Sequence, residues 1–382
     1  MKKVLVITGS RGEYGYIRPF LIDCKNSNLI KNDVLVTNMH LMPEHGLAID
    51  NFKEDGLDIK YKIYNTISGN TRVSAVKSLF VFGTGLCDIL INENYDFILI
   101  AGDRGEQLIA SITGFNLNIP VIHIQAGEIS GHIDGMSRHA IARFTHIHLA
   151  SNEDAEKRLI SFGEESFRVK KIGAPQLDEI YSHKPMSDSE FYGKFSINRK
   201  NRLILLAYHP TIEEINYCYE DFRKIIKLLN DLDGFSTIAI YPNCDPGALK
   251  IIKFLDQYTS RDFISLRNIE RSIYLEIMRR AHFIIGNSSS GILEAPTFAT
   301  PVINIGVRQK GRVRANNVFD FEAPLKIEQL KEKILSIPFK EAARPPYKNI
   351  NPYGDGKSTK KLIDIILNTN ISSELLNKEI TL

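Results

Sequence analysis

Short apolar runs alternate with longer amphipathic stretches along the whole chain. In the first half they are Val4 to Ile7, Val34 to Thr37, Phe97 to Ala101 and Val121 to Ile124; in the second, Leu203 to Ala207, Thr237 to Tyr241, Phe263 to Leu266, Phe283 to Ile285 and Val302 to Ile305. Runs this short and this apolar, separated by helix-length segments, predict parallel strands buried on both faces and joined by crossover helices. The pattern runs twice, with a polar, Pro-containing crossing near Gly173-Ala174-Pro175. It therefore predicts an α/β chain of two Rossmann-like doubly wound domains, 1–172 and 173–357, followed by a terminal segment 358–382. His183 to Arg202 reads as an early surface excursion of the second domain, Lys360 to Leu367 as a terminal amphipathic helix, and the last dozen residues as a frayed end.

Ligands bind beyond the carboxyl ends of strands in open parallel sheets, so the residues after each apolar run carry the chemistry. In the first domain these are Gly9-Ser10-Arg11-Gly12-Glu13-Tyr14, Gly102-Asp103-Arg104-Gly105-Glu106 and Gln125-Ala126-Gly127-Glu128. In the second they are His209-Pro210, Pro242-Asn243, Gly286-Asn287-Ser288-Ser289-Ser290 and Gly306-Val307-Arg308. The Ser run follows a buried strand and precedes a helical segment, so its hydroxyls and free N–H groups predict a phosphate site, with Arg308, Lys310, Arg312 and Arg314 on the next strand end. Carboxylates thus gather on the first domain and phosphate donors on the second, a division that suits a nucleotide-sugar.

Apolar residues make up 43% and charged residues 24% of the 382, the composition of a globular chain, and a net charge of +3 gives no bulk attraction to nucleic acid or an anionic membrane. Cys24, Cys87, Cys218 and Cys244 are scattered without zinc or disulfide spacing and read as reduced thiols. The apolar start is too short for a signal peptide and reads as a first strand, and no later segment is expected to be long enough to span a bilayer. The expected location is the cytoplasm.

The strand-end motifs, joined by His123-Ile124, Asp134, Arg138-His139-Ala140-Ile141, Glu294 and Gly306 with Arg308-Gln309 and Gly311-Arg312, resemble over nearly the whole chain those of the hydrolysing UDP-N-acetylglucosamine 2-epimerases that begin sialic acid synthesis, and of their relatives in legionaminic acid synthesis. The resemblance implies a GT-B-like fold with a ligand cleft between two domains and a final helix packed back on the first. It also implies a homodimer, or a tetramer built from it, with no cofactor and no metal. Arg11, Arg104, Arg138, His209, Asn243, Ile269, Ser288, Ser289, Glu294 and Arg308 fall at positions that bind the UDP-sugar in the family, and Asp103, Glu128, Asp134 and His209 at positions tied to catalysis.

The implied reaction converts UDP-N-acetylglucosamine and water to N-acetylmannosamine and UDP. UDP leaves C1 as the C2 proton is lost, and water then adds to the 2-acetamidoglucal with C2 inverted. The C2 proton is a poor acid, so C1–O cleavage must run ahead, and nearby carboxylates stabilise the oxocarbenium character that develops. Taken alone, Asp103 fits a helix N-cap, Asp134 a turn, and Glu294 a surface carboxylate equally well. His139, His146 and His148 read as satisfied interior or surface histidines. Where relatives usually carry Gly-Gly-Glu this chain has Ala126-Gly127-Glu128, preceded by the neutral Gln125. Sugar preference is therefore less determined than nucleotide binding. Two alternatives within this fold are a hydrolysing epimerase of UDP- or GDP-2,4-diacetamido-2,4,6-trideoxyglucose and a non-hydrolysing epimerase whose product keeps UDP. A glycosyltransferase would leave the three acids idle, and a nucleotide-sugar sensor would lack them.

Overall fold

The computed structural model describes every residue except 44–48, 70, 130–133, 196, 244, 268, 339–350 and 382. Two compact units emerge. The first comprises Met1–Ile129, Ile133–Glu179 and Tyr353–Leu382, and the second is built from Ile180–Pro352.

The first unit holds a seven-stranded sheet made of β1 (Lys2–Thr8), β2 (Ile30–Thr37), β3 (Tyr61–Ile63), β4 (Phe97–Ala101), β5 (Val121–Ala126), β6 (Ile147–Ala150) and β7 (Val169–Lys171). Their spatial order is β3-β2-β1-β4-β5-β6-β7, and every pairing is parallel. The second unit holds β8 (Arg202–Ala207), β9 (Phe235–Ile240), β10 (Phe263–Leu266), β11 (Phe283–Gly286), β12 (Val302–Ile305) and β13 (Val318–Phe321), in the order β10-β9-β8-β11-β12-β13 and again all parallel. The order reverses at β1/β4 in one sheet and at β8/β11 in the other, and there the loops diverge to opposite faces and open a crevice.

The apolar runs inside the sheets became strands because they are buried on both faces: Val4, Leu5, Val6 and Ile7 are inaccessible, as are Ile98, Leu99 and Ile100, while the run at the edge, Phe263–Leu266, is half-buried. The edge strands β3, β7 and β13 escape a reading by apolar runs. Tyr61-Lys62-Ile63, Val169-Lys170-Lys171 and Val318-Phe319-Asp320-Phe321 are short and carry charge, as edges do to discourage further pairing.

Gly286 ends β11 with φ +135, and a Cβ there would run into the Ala207 carbonyl of β8, so only glycine permits the turn into the Ser loop. Gln125, at φ +65, is the penultimate residue of β5 and sits where the register against β6 shifts. This left-handed residue swings the chain toward Glu128.

Two expectations are corrected. Helix Arg72–Leu90 is, at 19 residues, long and apolar enough by length and composition to cross a membrane. It packs against helix Gly105–Asn116, burying Ser74, Ser78, Phe82, Leu86 and Leu90 and exposing Val73, Val76 and Phe80. The end of the chain, read as frayed, is pinned to the first unit. Helix Ser358–Asn368 packs on helix Arg11–Ser27, and a short helix, Ser373–Leu376, follows. The buried guanidinium of Arg168 then donates to the carbonyls of Leu375 (2.6 Å), Glu374 (2.7 Å) and Asn377 (3.2 Å). Lys378 reaches inward to Glu164 (2.5 Å) and to the carbonyl of Thr145 (2.8 Å). Polar composition suggested a loose end because its anchors lie some two hundred residues away in sequence.

Candidate active site

The carboxyl ends of β1 and β4, at the first switch point, carry a buried layer of charge. Ser10 caps helix Arg11–Ser27, its hydroxyl accepting from the amide of Glu13. The Glu13 carboxylate turns back to accept from the Gly9 amide at 2.6 Å. Burial drives its pKa up to about 8, against the pull of Arg104 and with the added push of Glu106 and Asp103. Arg104 is the N-cap residue of helix Gly105–Asn116 and lies 3.9 Å from Glu106, which also accepts from the Asn38 side chain. Arg104 holding that cap position removes the reading of Asp103 as a helix cap.

Asp103 instead pairs with Arg138, a fully enclosed guanidinium on helix Asp134–Arg143 that also donates to the Gln125 carbonyl at 2.6 Å. Burial works against the Arg138 charge, yet its pKa is raised, because Asp103 and Glu128 more than offset that cost. Arg138 thus links two of the three expected acids. Glu128, buried in the loop after β5, accepts from Ser151 at 2.8 Å and from the Asn152 amide. The Gln125 side-chain oxygen accepts from the Ser151 hydroxyl at 3.4 Å, beside the Glu128 carboxylate that the same hydroxyl bonds. Asp134 opens its helix, but its side chain lies outside the described residues. Arg11 is the first residue of its helix and lies close enough to the buried His40 to help depress that ring's pKa.

The nearby histidines serve the interior. His123 bonds the Gly102 carbonyl at 2.6 Å and His148 pairs with Glu164 at 2.9 Å, and burial pushes their pKa values down to about 3 and about 4. His146 accepts from the Val121 amide at 3.0 Å and stacks on Phe115. Among the described residues no group of three or more His, Cys, Asp or Glu is placed to hold a metal.

In the second unit, Asn287 fastens the two loops of the switch point. Its side chain accepts from the His209 amide and donates to the His209 carbonyl, both at 2.7 Å. Its own carbonyl takes bonds from Gln309 (2.8 Å) and Arg308 (3.3 Å). The His209 ring accepts the Asn243 amide at Nδ1 (3.1 Å), so the neutral ring carries its proton on Nε2. Helix Ser289–Leu293 has only five residues, so what the Ser loop presents is its own N–H groups and hydroxyls more than a helix dipole. Ser288 stands at the N-cap without making the usual side-chain cap bond, its hydroxyl meeting that of Ser290 at 3.0 Å. Glu294 pairs with Arg271 at 2.8 Å, so it is not a loose surface carboxylate, and Ile269 lies just before that arginine's helix, Arg271–Arg280.

Glu13, Glu106 and Asn287 belong to the strand-end motifs but their roles were not legible there, and Glu214, Arg271 and Tyr274, whose hydroxyl contacts Ser290, lie outside those motifs. Position was the available signal: each of Glu13, Glu106 and Asn287 lies within a few residues of an apolar run's end.

Because the Glu13 pKa is raised above its unfolded value of 4.5, its contribution to stability is complete below pH 4.5 and is lost as pH rises through about 8. The slope reaches about 1.4 kcal/mol per pH unit for the one proton. Glu13→Gln, which keeps an oxygen for the Gly9 amide, is expected to flatten that part of the profile. Urea unfolding at several pH values would show it, and superimposable profiles for variant and wild type would dismiss the assignment.

Two all-parallel, doubly wound sheets, each with its polar residues at a switch point, define a chain of paired Rossmann-like units. Among solved structures it is similar to a Neisseria meningitidis UDP-GlcNAc 2-epimerase bound to UDP-GlcNAc (TM-score 0.77, 21% identical, covering 96% of this chain and 100% of that one). A Staphylococcus aureus MnaA–UDP co-structure gives the same TM-score at 19% identity, covering 96% of each chain. The fold is α/β and GT-B-like. The sequence model of the family described as UDP-N-acetylglucosamine 2-epimerase matches residues 22–367, and this chain belongs to that family. It is 32% identical over 379 residues, 99% of each chain, to the UDP-N,N'-diacetylbacillosamine 2-epimerase (hydrolyzing) of Legionella pneumophila. To the GDP/UDP-N,N'-diacetylbacillosamine 2-epimerase (hydrolyzing) of Campylobacter jejuni it is 31% identical over 89% of each. To a UDP-N-acetylglucosamine 2-epimerase of Neisseria meningitidis serogroup B it is 32% identical over 84% of this chain and 85% of that one.

Proposed function

We propose that this enzyme is a hydrolysing 2-epimerase whose substrate is UDP-2,4-diacetamido-2,4,6-trideoxyglucose, that is, UDP-N,N'-diacetylbacillosamine. This replaces UDP-N-acetylglucosamine, the first expectation from sequence. The likeness to the Legionella pneumophila enzyme from end to end favours the diacetamido sugar, whereas the likeness to the Neisseria meningitidis serogroup B enzyme stops at 84% of this chain. The observation that carries the chemistry is the buried Arg138, bonded to Asp103 and kept charged by Asp103 and Glu128 together.

In this reading the second unit takes the nucleotide. Ser288, Ser289 and Arg308 receive the diphosphate, the Nε2 proton of His209 is offered to an oxygen of the leaving group, and Glu294 accepts from ribose hydroxyls. Arg11, Arg104, Asn243 and Ile269 complete the substrate contacts. In the first unit a carboxylate removes the C2 proton while the C1–O bond breaks, and the bonding electrons leave with UDP. Water then adds to the glycal: its hydroxyl goes to C1, and C2 takes a proton on the face opposite the one that lost it. A proton leaving one face and returning to the other requires more than one positioned group, which Asp103, Glu128 and Asp134 supply.

Turnover of the two UDP-sugars by the purified enzyme tests the choice. A kcat/KM for the diacetamido sugar below that for UDP-N-acetylglucosamine would return the reading to the sialic acid branch. Nucleotide placement has its own check. Arg308→Ala, and the pair Ser288→Ala with Ser289→Ala, are expected to weaken UDP binding by about 1 to 3 kcal/mol, the scale of lost bonds to a charged group, and calorimetry reads it directly. Unchanged affinity would leave the Ser loop a mere turn.

Assembly is proposed to be a homodimer through the outer face of helix Arg72–Leu90, where Val73, Val76 and Phe80, more than half exposed, lie along one stripe. Light scattering is expected to give a dimer mass, and Phe80→Glu a monomer. A monomeric wild type at micromolar concentration rules this out.

A further inference from the structure

The loop that bears Arg308 is held from below by a carboxylate belonging to the loop that bears His209. Glu214, 2% exposed, accepts the Val307 amide at 3.1 Å through one oxygen and the Thr211 hydroxyl at 3.1 Å through the other. Its backbone carbonyl accepts the amides of Tyr217 and Cys218 at 3.1 and 2.9 Å, anchoring it at the start of helix Cys218–Asn230. On the other side stands Gly306, at φ +75, where a Cβ would lie 2.8 Å from the Glu214 carboxyl carbon. Glycine at this position therefore leaves the space into which the carboxylate fits. A buried carboxylate is costly unless it is well bonded, and here one oxygen bonds each of two loops that Asn287 also joins.

We propose that Glu214 is a positioning residue for nucleotide binding. It locks the Gly306–Arg308 turn to the His209–Thr211 turn, so that the Arg308 guanidinium and the His209 ring are already placed before a nucleoside diphosphate arrives. The inference rests on the reading that this edge takes UDP. Its energetic logic is preorganisation: a loop fixed in advance spares the ordering cost on binding. Glutamine can replace the geometry, since its carbonyl oxygen still accepts the Val307 amide, whereas alanine cannot.

Two measurements separate the lock from the ligand. Hydrogen exchange of the unliganded protein, followed by mass spectrometry, is expected to speed up in the peptide spanning residues 304–312 for Glu214→Ala and Gly306→Ala, and to stay near wild type for Glu214→Gln. Calorimetry with UDP is expected to show about tenfold weaker binding for the alanine variants, near-normal binding for Glu214→Gln, and a combined loss in the double variant smaller than the product of the singles. In turnover assays kcat/KM should fall for the alanine variants and stay near wild type for Glu214→Gln. Unchanged exchange in both alanine variants overturns the lock. Faster exchange with undiminished UDP affinity overturns its role in binding. A wild type that does not bind UDP at all overturns the nucleotide reading and this role with it, while the exchange data still report on the lock.

Discussion

Asp103→Asn and Glu128→Gln are each expected to lower turnover by about 100-fold or more while UDP binds as before. Both substitutions keep the shape of the side chain and remove its charge. The Asp103 change leaves Arg138 enclosed with its salt-bridge partner gone, so part of the loss comes from a guanidinium no longer held between two acids. Glu128→Gln preserves an oxygen for Ser151 and Asn152, and its effect is the cleaner measure of lost base or acid function. Single-turnover kinetics and UDP calorimetry on the same preparations distinguish the cases. Near-normal turnover in either variant removes that residue from the mechanism, and an equal loss of UDP affinity moves it to the binding surface.

The second large effect concerns stability. Arg168→Met is expected to cost about 3 to 5 kcal/mol in unfolding free energy, because it deletes a buried cation and strands the carbonyls it satisfied. Those acceptors come from the chain's last ten residues and from His146, and Glu165 accepts from Nε at 2.5 Å. Lysine at 168 should recover only part of this, since one ammonium cannot reproduce a planar fork that meets several carbonyls at once. Lys157→Ala, which breaks an exposed pair with Glu153, serves as a control expected to change little. Urea unfolding measures all three. A wild-type midpoint for Arg168→Met would show that the tail is not latched.

The tail illustrates what a linear reading misses. Ser372 to Glu379 has neither an apolar run nor a strong period, and its order comes from Arg168, met in three dimensions. The central strands were legible because burial on both faces demands unbroken apolar residues. Phe97–Ala101 and Val302–Ile305, buried throughout, match the apolar runs residue for residue, and the half-buried edge strand Phe263–Leu266 was legible only because three of its four residues are apolar. Edge strands such as β7, with two lysines in three residues, were not legible, since their hydrogen bonds need only one neighbour. Within the site, Asp103 and Glu128 were found because they directly follow strands. The pairing of Asp103 with Arg138 and the burial of Glu13 depend on what packs around them, which no local pattern encodes. Glu214 was hidden for the same reason: it lies five residues past His209, and its partner is the Val307 amide, 93 residues further on.

The central claim is hydrolysis with inversion at C2 through a glycal. Incubation of the enzyme with UDP-2,4-diacetamido-2,4,6-trideoxyglucose in heavy water, followed by proton and phosphorus NMR, tests it most directly. Free UDP should appear together with a free reducing sugar whose C2 is inverted and carries one deuterium. A C2-inverted sugar still linked to UDP would make the enzyme a non-hydrolysing epimerase, and a released sugar retaining its original C2 hydrogen would contradict the elimination itself.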